Sequence, residues 1–387
     1  MEHQHYGWGG IQTSLFWFYF LVSCYFTEQI KIKNYMDKQN LKIKIGDLEF
    51  KNPLFCGSAE HFIEEAGIKK AVEEGAAAVV AKSTNESKNA KAQLDKTDYA
   101  LIDSSLNNIS WDLGSDMSTG LIGRSGLINL DSKEWLKKIS ELDNWAKKKH
   151  SYVAASIIPR NMDSLVELAK EADQLGIRIL EINIGAPHAS EMKSDINAVT
   201  EEKKVSEIVM TARRVFTGSL WLKLGSNSEN VSRLCLAAKS SGADAVVMIG
   251  RMMAMFPDLD SMKPTLRTNV AYGGRWALPI TCRWLSESRK MIGADFPLIG
   301  TNGARGGSDI ARMMLSGASG VQITSSIFTN GFKVISKSLL ELLDYLESKG
   351  VTAKELIGQA ADKVEAYDTQ KIRPDIWKEF VPKDALD

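Results

Sequence analysis

Cysteine is scarce in this chain, and its cysteines are far apart. The 387 residues include four cysteines, Cys24, Cys56, Cys235 and Cys282, and no two of them form a CxxC pair. Isolated thiols argue against a zinc site, an iron–sulfur cluster and a disulfide framework. We therefore predict no metal site and a reducing, cytoplasmic environment.

The chain also lacks net charge. It contains 48 lysines and arginines and 48 aspartates and glutamates, so its formal net charge is zero. Proteins that bind nucleic acid or anionic membrane surfaces usually carry an excess of positive charge. The balance predicts a small-molecule substrate, with neither nucleic acid nor membrane as the main partner.

The apolar run near the N-terminus, residues 14–26, is too short to span a bilayer as a helix. No positive charge precedes it and no clear small-residue cleavage site follows it, unlike in a signal peptide. It is a peripheral membrane or quinone-facing anchor, an additional packing element, or an extension upstream of a start at Met36. We favour the third interpretation, which gives an extension at residues 1–35 and one domain at residues 36–387.

Apolar runs typical of buried strands alternate with amphipathic, helix-like segments along the rest of the chain. The strand-like runs are residues 53–57, 77–82, 152–158, 177–184, 220–224, 243–249, 297–300 and 320–324. About eight such units predict a (β/α)₈ TIM barrel. A doubly wound open sheet also alternates in this way, but no GxGxxG motif follows the first strand.

A hairpin, two long connections and a tail complete the predicted barrel. Residues 41–50 alternate around Gly46 and Asp47, which predicts a β-hairpin that plugs the bottom of the barrel. Long βα connections at residues 83–136 and 250–276 follow the second and sixth strands, where we expect them to cover the substrate. The tail is predicted to be helical at residues 332–346 and 352–366.

Residues 296–326 contain two successive strand-to-helix turns, the first of them rich in glycine. Backbone N–H groups of Asn302 and Gly303 are expected to converge with those of Thr324 and Ser325 on one anion. In a barrel this is the phosphate site after the seventh and eighth strands. The alternative is that these residues only form tight connections, since glycine and asparagine tolerate positive φ.

Several phrases along residues 41–361 occur in the order found in one enzyme family. They are KNPLFCGSAE, AAAVVAKST, LEINIGAPH, LWLKLGSN, GADAVVMIGR, AYGGRWALPI, PLIGTNGARGGSD and SGASGVQITSS. The chain thereby resembles the dihydroorotate dehydrogenase family, including the pyrimidine half of dihydropyrimidine dehydrogenase. The resemblance implies an FMN-binding barrel, and hence an FMN-dependent oxidoreductase that acts on a CH–CH bond.

The resemblance also implies the residues that hold the flavin. They are Gly57, Ser58, Lys82, Ser83, Asn183, Lys223, Gly273 and Gly274, with Asn302, Gly303, Thr324 and Ser325 at the phosphate. Lys82 is expected to act in catalysis as well, because a cation can stabilise negative charge that develops on the flavin ring. Asn183 is also expected to contact the substrate.

The chain departs from the family at the catalytic base. Family members place a cysteine or serine where this chain has Ala186, in the sequence NIGAPH, and alanine cannot accept a proton. His188 titrates in the range needed for proton transfer and lies two residues away. We expect His188 to act in catalysis or to bind the substrate.

The residues that read a pyrimidine ring have changed too. Gly123 stands where the family has asparagine, beside Arg124 and Ser125, and Gly250-Arg251 replaces Asn-Ser or Asn-Thr. Because an arginine fork matches carboxylates and other anions, we expect Arg124, Ser125 and Arg251 to bind an anionic substrate other than orotate. Alternatively, Arg251 pairs with Asp258 or Asp260 to brace its loop, and Arg124 is a surface residue.

We therefore expect a dihydroorotate dehydrogenase-like enzyme that obtains electrons from a separate protein, a soluble donor or a second substrate. Its exposed barrel helices allow a homodimer, as the family suggests. One alternative is a flavin-binding partner subunit that has lost catalysis. A second is a tRNA-dihydrouridine-synthase-like reductase, which INIGAP and ADAVVMIGR also resemble, and a third is a barrel that binds a sugar phosphate without FMN.

Overall fold

A computed structural model describes residues 39–87, 91–111, 114–186, 199–226 and 228–386. The predicted extension at residues 1–35 and the predicted start at Met36 lie outside these ranges, and so does His188. Within the ranges, no helix is long and apolar enough to cross a membrane.

The strands are β1 (Ile43–Ile45), β2 (Leu48–Phe50), β3 (Leu54–Cys56), β4 (Ala78–Val80), β5 (Asp98–Ile102), β6 (Asn108–Ile109), β7 (Gly120–Arg124), β8 (Tyr152–Ile157), β9 (Ile179–Asn183), β10 (Ser219–Lys223), β11 (Ala245–Met248), β12 (Met252–Ala254), β13 (Pro257–Asp258), β14 (Lys263–Pro264), β15 (Val270–Gly273), β16 (Leu298–Thr301) and β17 (Ala318–Ile323). The α-helices are α1 (Glu65–Glu73), α2 (Ser132–Lys147), α3 (Met162–Gln174), α4 (Glu202–Arg213), α5 (Val231–Ser240), α6 (Leu278–Ile292), α7 (Gly307–Leu315), α8 (Ser325–Asn330), α9 (Lys333–Lys349) and α10 (Ala353–Leu356).

Eight parallel strands close into a barrel in the order β3-β4-β8-β9-β10-β11-β16-β17. Every residue of β3, β4 and β11 is buried, because side chains on one face fill the barrel and those on the other pack under the helices. Helices such as α3 and α4 turn an apolar stripe toward the strands. The predicted (β/α)₈ TIM barrel is confirmed.

The β1–β2 hairpin covers the N-terminal end of the barrel, as predicted. Its turn contains Gly46 with φ +56°, and β1 pairs antiparallel with β2. The ring of Phe50 packs into the barrel bottom, with its centroid 4.9 Å from that of Phe55 and 6.1 Å from that of Trp221. The hairpin thus closes the end opposite to the one where barrel enzymes build their sites.

Phe50 should contribute strongly to stability because its ring is 1% exposed in the aromatic cluster. We expect Phe50→Ala to lower the free energy of unfolding by about 3–5 kcal/mol, measured by urea denaturation. Phe380→Ala is the matched control, since Phe380 is 75% exposed and its loss should change stability by less than about 0.5 kcal/mol. Equal effects of the two substitutions would show that the hairpin does not plug the barrel.

The two long connections form one antiparallel sheet in the order β12-β15-β7-β5-β6. The first connection supplies β5, β6 and β7, and the second supplies β12 and β15, which joins the first connection by pairing with β7. The cover is therefore a structured layer, although the sequence predicted only long connections there.

The prediction for the tail was half right. A helix at residues 332–346 is confirmed as α9, whereas the helix predicted at residues 352–366 is wrong beyond the four residues of α10. The chain turns away at Gly358, where φ is +82°. The N–H groups of Gly358 and Ala360 then donate to carbonyls at the end of α7, which holds the tail against the barrel wall.

Candidate active site

A cleft lies at the C-terminal end of the barrel strands, beneath the five-stranded sheet. It collects residues that are far apart in sequence because parallel strands present their carboxyl ends at one edge. The predicted site residues that line it are Ser58, Ser125, Asn183, Lys223, Arg251, Gly273, Asn302, Gly303, Thr324 and Ser325.

Four other predicted residues lie directly behind the cleft wall. The Lys82 Nζ is 2.7 Å from the Ser125 Oγ, and the Ser83 Oγ is 3.1 Å from the Ser58 Oγ. The Gly57 N–H donates to the carbonyl of Ile323, and the Gly274 N–H donates weakly to the Asn302 side chain at 3.4 Å.

Arg124 is the exception, since the structure does not bring it to the cleft. Its Nε donates to the Lys96 carbonyl at 2.7 Å, and its Nη2 lies 3.4 Å from the Asp98 carboxylate. Its Nη1 donates to the carbonyl of Leu266. These hydrogen bonds tie the guanidinium to the covering sheet, outside the cleft lining.

The two turns after β16 and β17 have the geometry expected of an anion site. Asn302 and Gly303 adopt φ values of +65° and +131°. In the described ranges, no hydrogen bond uses the N–H groups of Gly303, Ala304 or Ser325. Unpaired N–H groups that converge on one cleft favour an anionic ligand such as a phosphate.

A hydrogen-bonded network crosses the barrel beneath the cleft. The Lys223 Nζ donates to the Gln322 Oε1 at 3.0 Å, and the Gln322 Nε2 donates to the Glu181 Oε2 at 2.8 Å. Glu181 is fully buried, and Lys223 is its nearest cation at 3.7 Å. This network fixes the Lys223 ammonium at the cleft. We did not predict Glu181 and Gln322, although each is a polar residue flanked by apolar residues in a buried strand.

Glu60 is a further cleft residue that the sequence analysis missed. Its Oε1 accepts hydrogen bonds from the Lys82 Nζ at 2.9 Å and the Ser125 Oγ at 2.7 Å. Its Oε2 accepts one from the Tyr99 hydroxyl at 2.7 Å. Burial alone would raise the pKa of Glu60, but the Lys82 charge and these hydrogen bonds lower it to about 2.

The low pKa of Glu60 makes a pH-dependent contribution to folding. A carboxyl group whose pKa falls from 4.5 unfolded to about 2 folded stabilises the protein above pH 4.5 and loses that effect as the pH falls toward 2. We expect roughly 3 kcal/mol of stability to be lost in this window. Urea denaturation at pH 7 and pH 3 should show a smaller pH effect in Glu60→Gln, and an equal effect would refute the assignment.

Tyr99 reaches Glu60 because the neighbouring strand carries a glycine. Tyr99 on β5 lies opposite Gly123 on β7, and a Cβ at Gly123 would lie 2.2 Å from the Tyr99 ring. An asparagine at this position would therefore collide with the tyrosine. In this chain, the position of the Tyr99 ring requires glycine at 123.

Arg251 enters the same cleft from the end of β11. Its guanidinium lies 5.9 Å from the centroid of the Tyr99 ring, and its stem passes over Gly273. It makes no ion pair with Asp258, Asp260 or any other carboxylate in the described part of the chain. Arg251 therefore offers the cleft an uncompensated positive charge.

Ala186 follows β9 near the same edge and is 8% exposed, packed with Leu127 and Ile158. An apolar cluster therefore surrounds Ala186, whose methyl group cannot accept a proton.

The family model described as dihydroorotate dehydrogenase matches residues 114–346, which is more than half of the chain. The chain belongs to the dihydroorotate dehydrogenase family. This family binds FMN, and the chain is an FMN-dependent oxidoreductase that acts on a CH–CH bond.

Curated relatives in this family are similar over most of their length. The catalytic subunit of dihydroorotate dehydrogenase B (NAD(+)) from Pyrococcus horikoshii is 27% identical over 327 residues, which cover 84% of this chain and 99% of the relative. The corresponding subunit from Methanocaldococcus jannaschii is 24% identical over 83% of this chain and 98% of the relative. Dihydroorotate dehydrogenase A (fumarate) from Lactobacillus helveticus is 29% identical over 55% of this chain and 70% of the relative.

The residues of this dihydroorotate dehydrogenase-family cleft fit FMN. The unpaired N–H groups of Gly303, Ala304 and Ser325 suit the phosphate, and a Cβ at Gly57 would lie 2.5 Å from the Thr324 hydroxyl, so the backbone there is closely packed. The Lys223 ammonium at the cleft floor can face the polar edge of a flavin ring.

Proposed function

We propose that this enzyme acts on a small anionic substrate other than orotate and does so without the family's cysteine or serine base. The observation that carries the proposal is Arg251, which lines the cleft without a carboxylate partner in the described ranges. A half-buried guanidinium next to an aromatic ring is a suitable partner for a carboxylate.

The other wall of the cleft supports a substrate without a pyrimidine ring. Tyr99 and Gly123 occupy the space of the amide side chain with which the family reads the ring, and Gly250 replaces a second amide. A site that lacks these amides discriminates poorly in favour of an imide ring. The carboxylate is the feature of the substrate that this cleft can still recognise.

The residues have distinct roles in this proposal. Bound FMN supplies hydride transfer. We assign the flavin to Gly57, Ser58, Lys82, Ser83, Asn183, Lys223, Gly273 and Gly274, and the phosphate to Asn302, Gly303, Thr324 and Ser325. Arg251 orients the substrate carboxylate and the Asn183 amide offers it a hydrogen bond, whereas the Ser125 hydroxyl lines the cleft with its proton donated to Glu60. The proton is exchanged with His188, another loop group or water, because Ala186 cannot carry it.

The electrons come from a partner or a second substrate. The relatives from Pyrococcus and Methanocaldococcus are named as catalytic subunits of NAD(+) enzymes, and the relative from Lactobacillus is named for fumarate. We propose that residues 36–387 form the FMN-binding domain and that it works with a separate electron-donor protein, as a homodimer.

The experiment is anaerobic reoxidation of the reduced, FMN-loaded chain by a panel of small unsaturated carboxylates, with their uncharged amides and orotate as comparisons. We expect at least one carboxylate without a pyrimidine ring to reoxidise the flavin faster than both its amide and orotate. Orotate as the fastest oxidant would overturn the proposal. A flavin that no member of the panel oxidises would favour a flavin-binding partner subunit.

A further inference from the structure

The lysine that the family places next to the flavin has a buried partner of opposite charge in this chain. The Lys82 Nζ lies 2.9 Å from the Glu60 Oε1, and the two side chains are 5% and 18% exposed. Glu60 also lines the cleft, and the Lys82 ammonium lies directly behind it in the cleft wall. In the described ranges, Glu60 is the carboxylate that forms an ion pair with Lys82.

Three donors hold the Glu60 carboxylate in its ionised form: the Lys82 ammonium and the hydroxyls of Ser125 and Tyr99. The adjacent His61 adds no charge, because burial lowers the pKa of its imidazole to about 3. The pair is therefore a positive and a negative charge within hydrogen-bond distance, with Arg251 as the other nearby cation.

This arrangement changes the electrostatics of the cleft. A flavin gains negative charge when it is reduced, so a neighbouring cation binds the reduced form more tightly than the oxidised form. A carboxylate next to that cation cancels most of its field at a distance. The reduced flavin then receives less stabilisation than a lone lysine would provide.

We propose that Glu60 cancels the charge of Lys82, lowers the reduction potential of bound FMN and so suits this site to the reduction of a carbon–carbon double bond. The inference rests on the proposed placement of FMN beside Lys82 and deepens it by giving the reaction a direction. Glu60 acts indirectly, by offsetting the positive charge of Lys82. It takes no part in the hydride transfer itself, which the cofactor supplies.

The test is the midpoint potential of bound FMN, titrated against a reference dye at pH 6 in four forms of the chain: unmodified, Glu60→Gln, Lys82→Gln and the double variant. The pH is low because burial lowers the pKa of Lys82 and Glu60 opposes that shift, so a low pH favours the protonated form of Lys82 when Glu60 is absent. In Glu60→Gln, we expect the affinity for reduced FMN relative to oxidised FMN to rise about tenfold. This change raises the midpoint potential by about 30 mV for a two-electron couple. Lys82→Gln should shift the potential in the opposite direction, and the double variant should lie close to the unmodified chain.

Glu74→Gln is the matched control, since Glu74 is a buried carboxylate 3.0 Å from the Lys70 ammonium on α1, away from the cleft. It should leave the potential unchanged. The midpoint potential reports the ratio of the affinities for reduced and oxidised FMN. If this ratio stayed within twofold of its value in the unmodified chain in both Glu60→Gln and Lys82→Gln, the inference would be overturned. A chain that takes up no FMN would overturn the proposed function as well, so the two failures are distinguishable.

Discussion

Replacement of Arg251 by glutamine is expected to slow reoxidation of the reduced flavin by a carboxylate substrate by about 10- to 100-fold. The reason is that a charge-assisted hydrogen bond to the guanidinium contributes about 1.5–3 kcal/mol. FMN should remain bound, since the phosphate turns and Lys223 are unchanged. Stopped-flow reoxidation at several substrate concentrations measures the effect as a loss in kcat/KM.

Arg251→Lys is the informative companion variant, because it keeps the charge and removes the planar fork. It should recover part of the lost rate for a carboxylate and none for the corresponding amide. If Arg251→Gln slowed reoxidation by the carboxylate and by the amide equally, Arg251 would determine the shape of the cleft but would not recognise the charge of the substrate.

Gly303→Ala is expected to lower FMN affinity by 100-fold or more. Gly303 has φ +131°, and a Cβ there would lie 2.6 Å from the Cα of Leu278, so the turn must move. Movement of the turn misplaces the N–H groups of Gly303 and Ala304, and each hydrogen bond to a charged group contributes about 1.5–3 kcal/mol. Fluorescence titration of the cofactor-free chain with FMN measures the affinity.

Gly176→Ala is the control for backbone strain alone. Gly176 also has positive φ, at +68°, but nothing lies within 4 Å of a Cβ there. It should cost about 1 kcal/mol of stability and leave FMN affinity unchanged. Wild-type FMN affinity in a folded Gly303→Ala chain would place the phosphate elsewhere.

The barrel and the tight turn after β16 could be predicted from sequence because their signals are local. Buried parallel strands read as short apolar runs, and the positive φ values of Asn302 and Gly303 were anticipated from residue type. The second long connection was also expected to cover the cleft, but the pairing of its β15 with β7 could not be foreseen. Those strands are short and come from connections separated by more than a hundred residues.

The Glu60 cluster illustrates the part that sequence reasoning could not reach. Glu60, Lys82, Tyr99 and Ser125 meet only because the covering sheet folds back over the barrel. The sequence showed that an amide is missing at Gly123, but the consequence, space for the Tyr99 ring, requires coordinates. Arg124 was expected either at the substrate or at the surface, and only the coordinates show that its guanidinium donates to the Lys96 and Leu266 carbonyls.

The most direct test of the central claim is the rate at which FMN-loaded, reduced protein is reoxidised by a small unsaturated carboxylate, by its amide and by orotate under identical anaerobic conditions. The account predicts that a carboxylate without a pyrimidine ring is the fastest of the three and that Arg251→Gln removes most of its advantage over the amide. Fastest reoxidation by orotate, undiminished in Arg251→Gln, would contradict it.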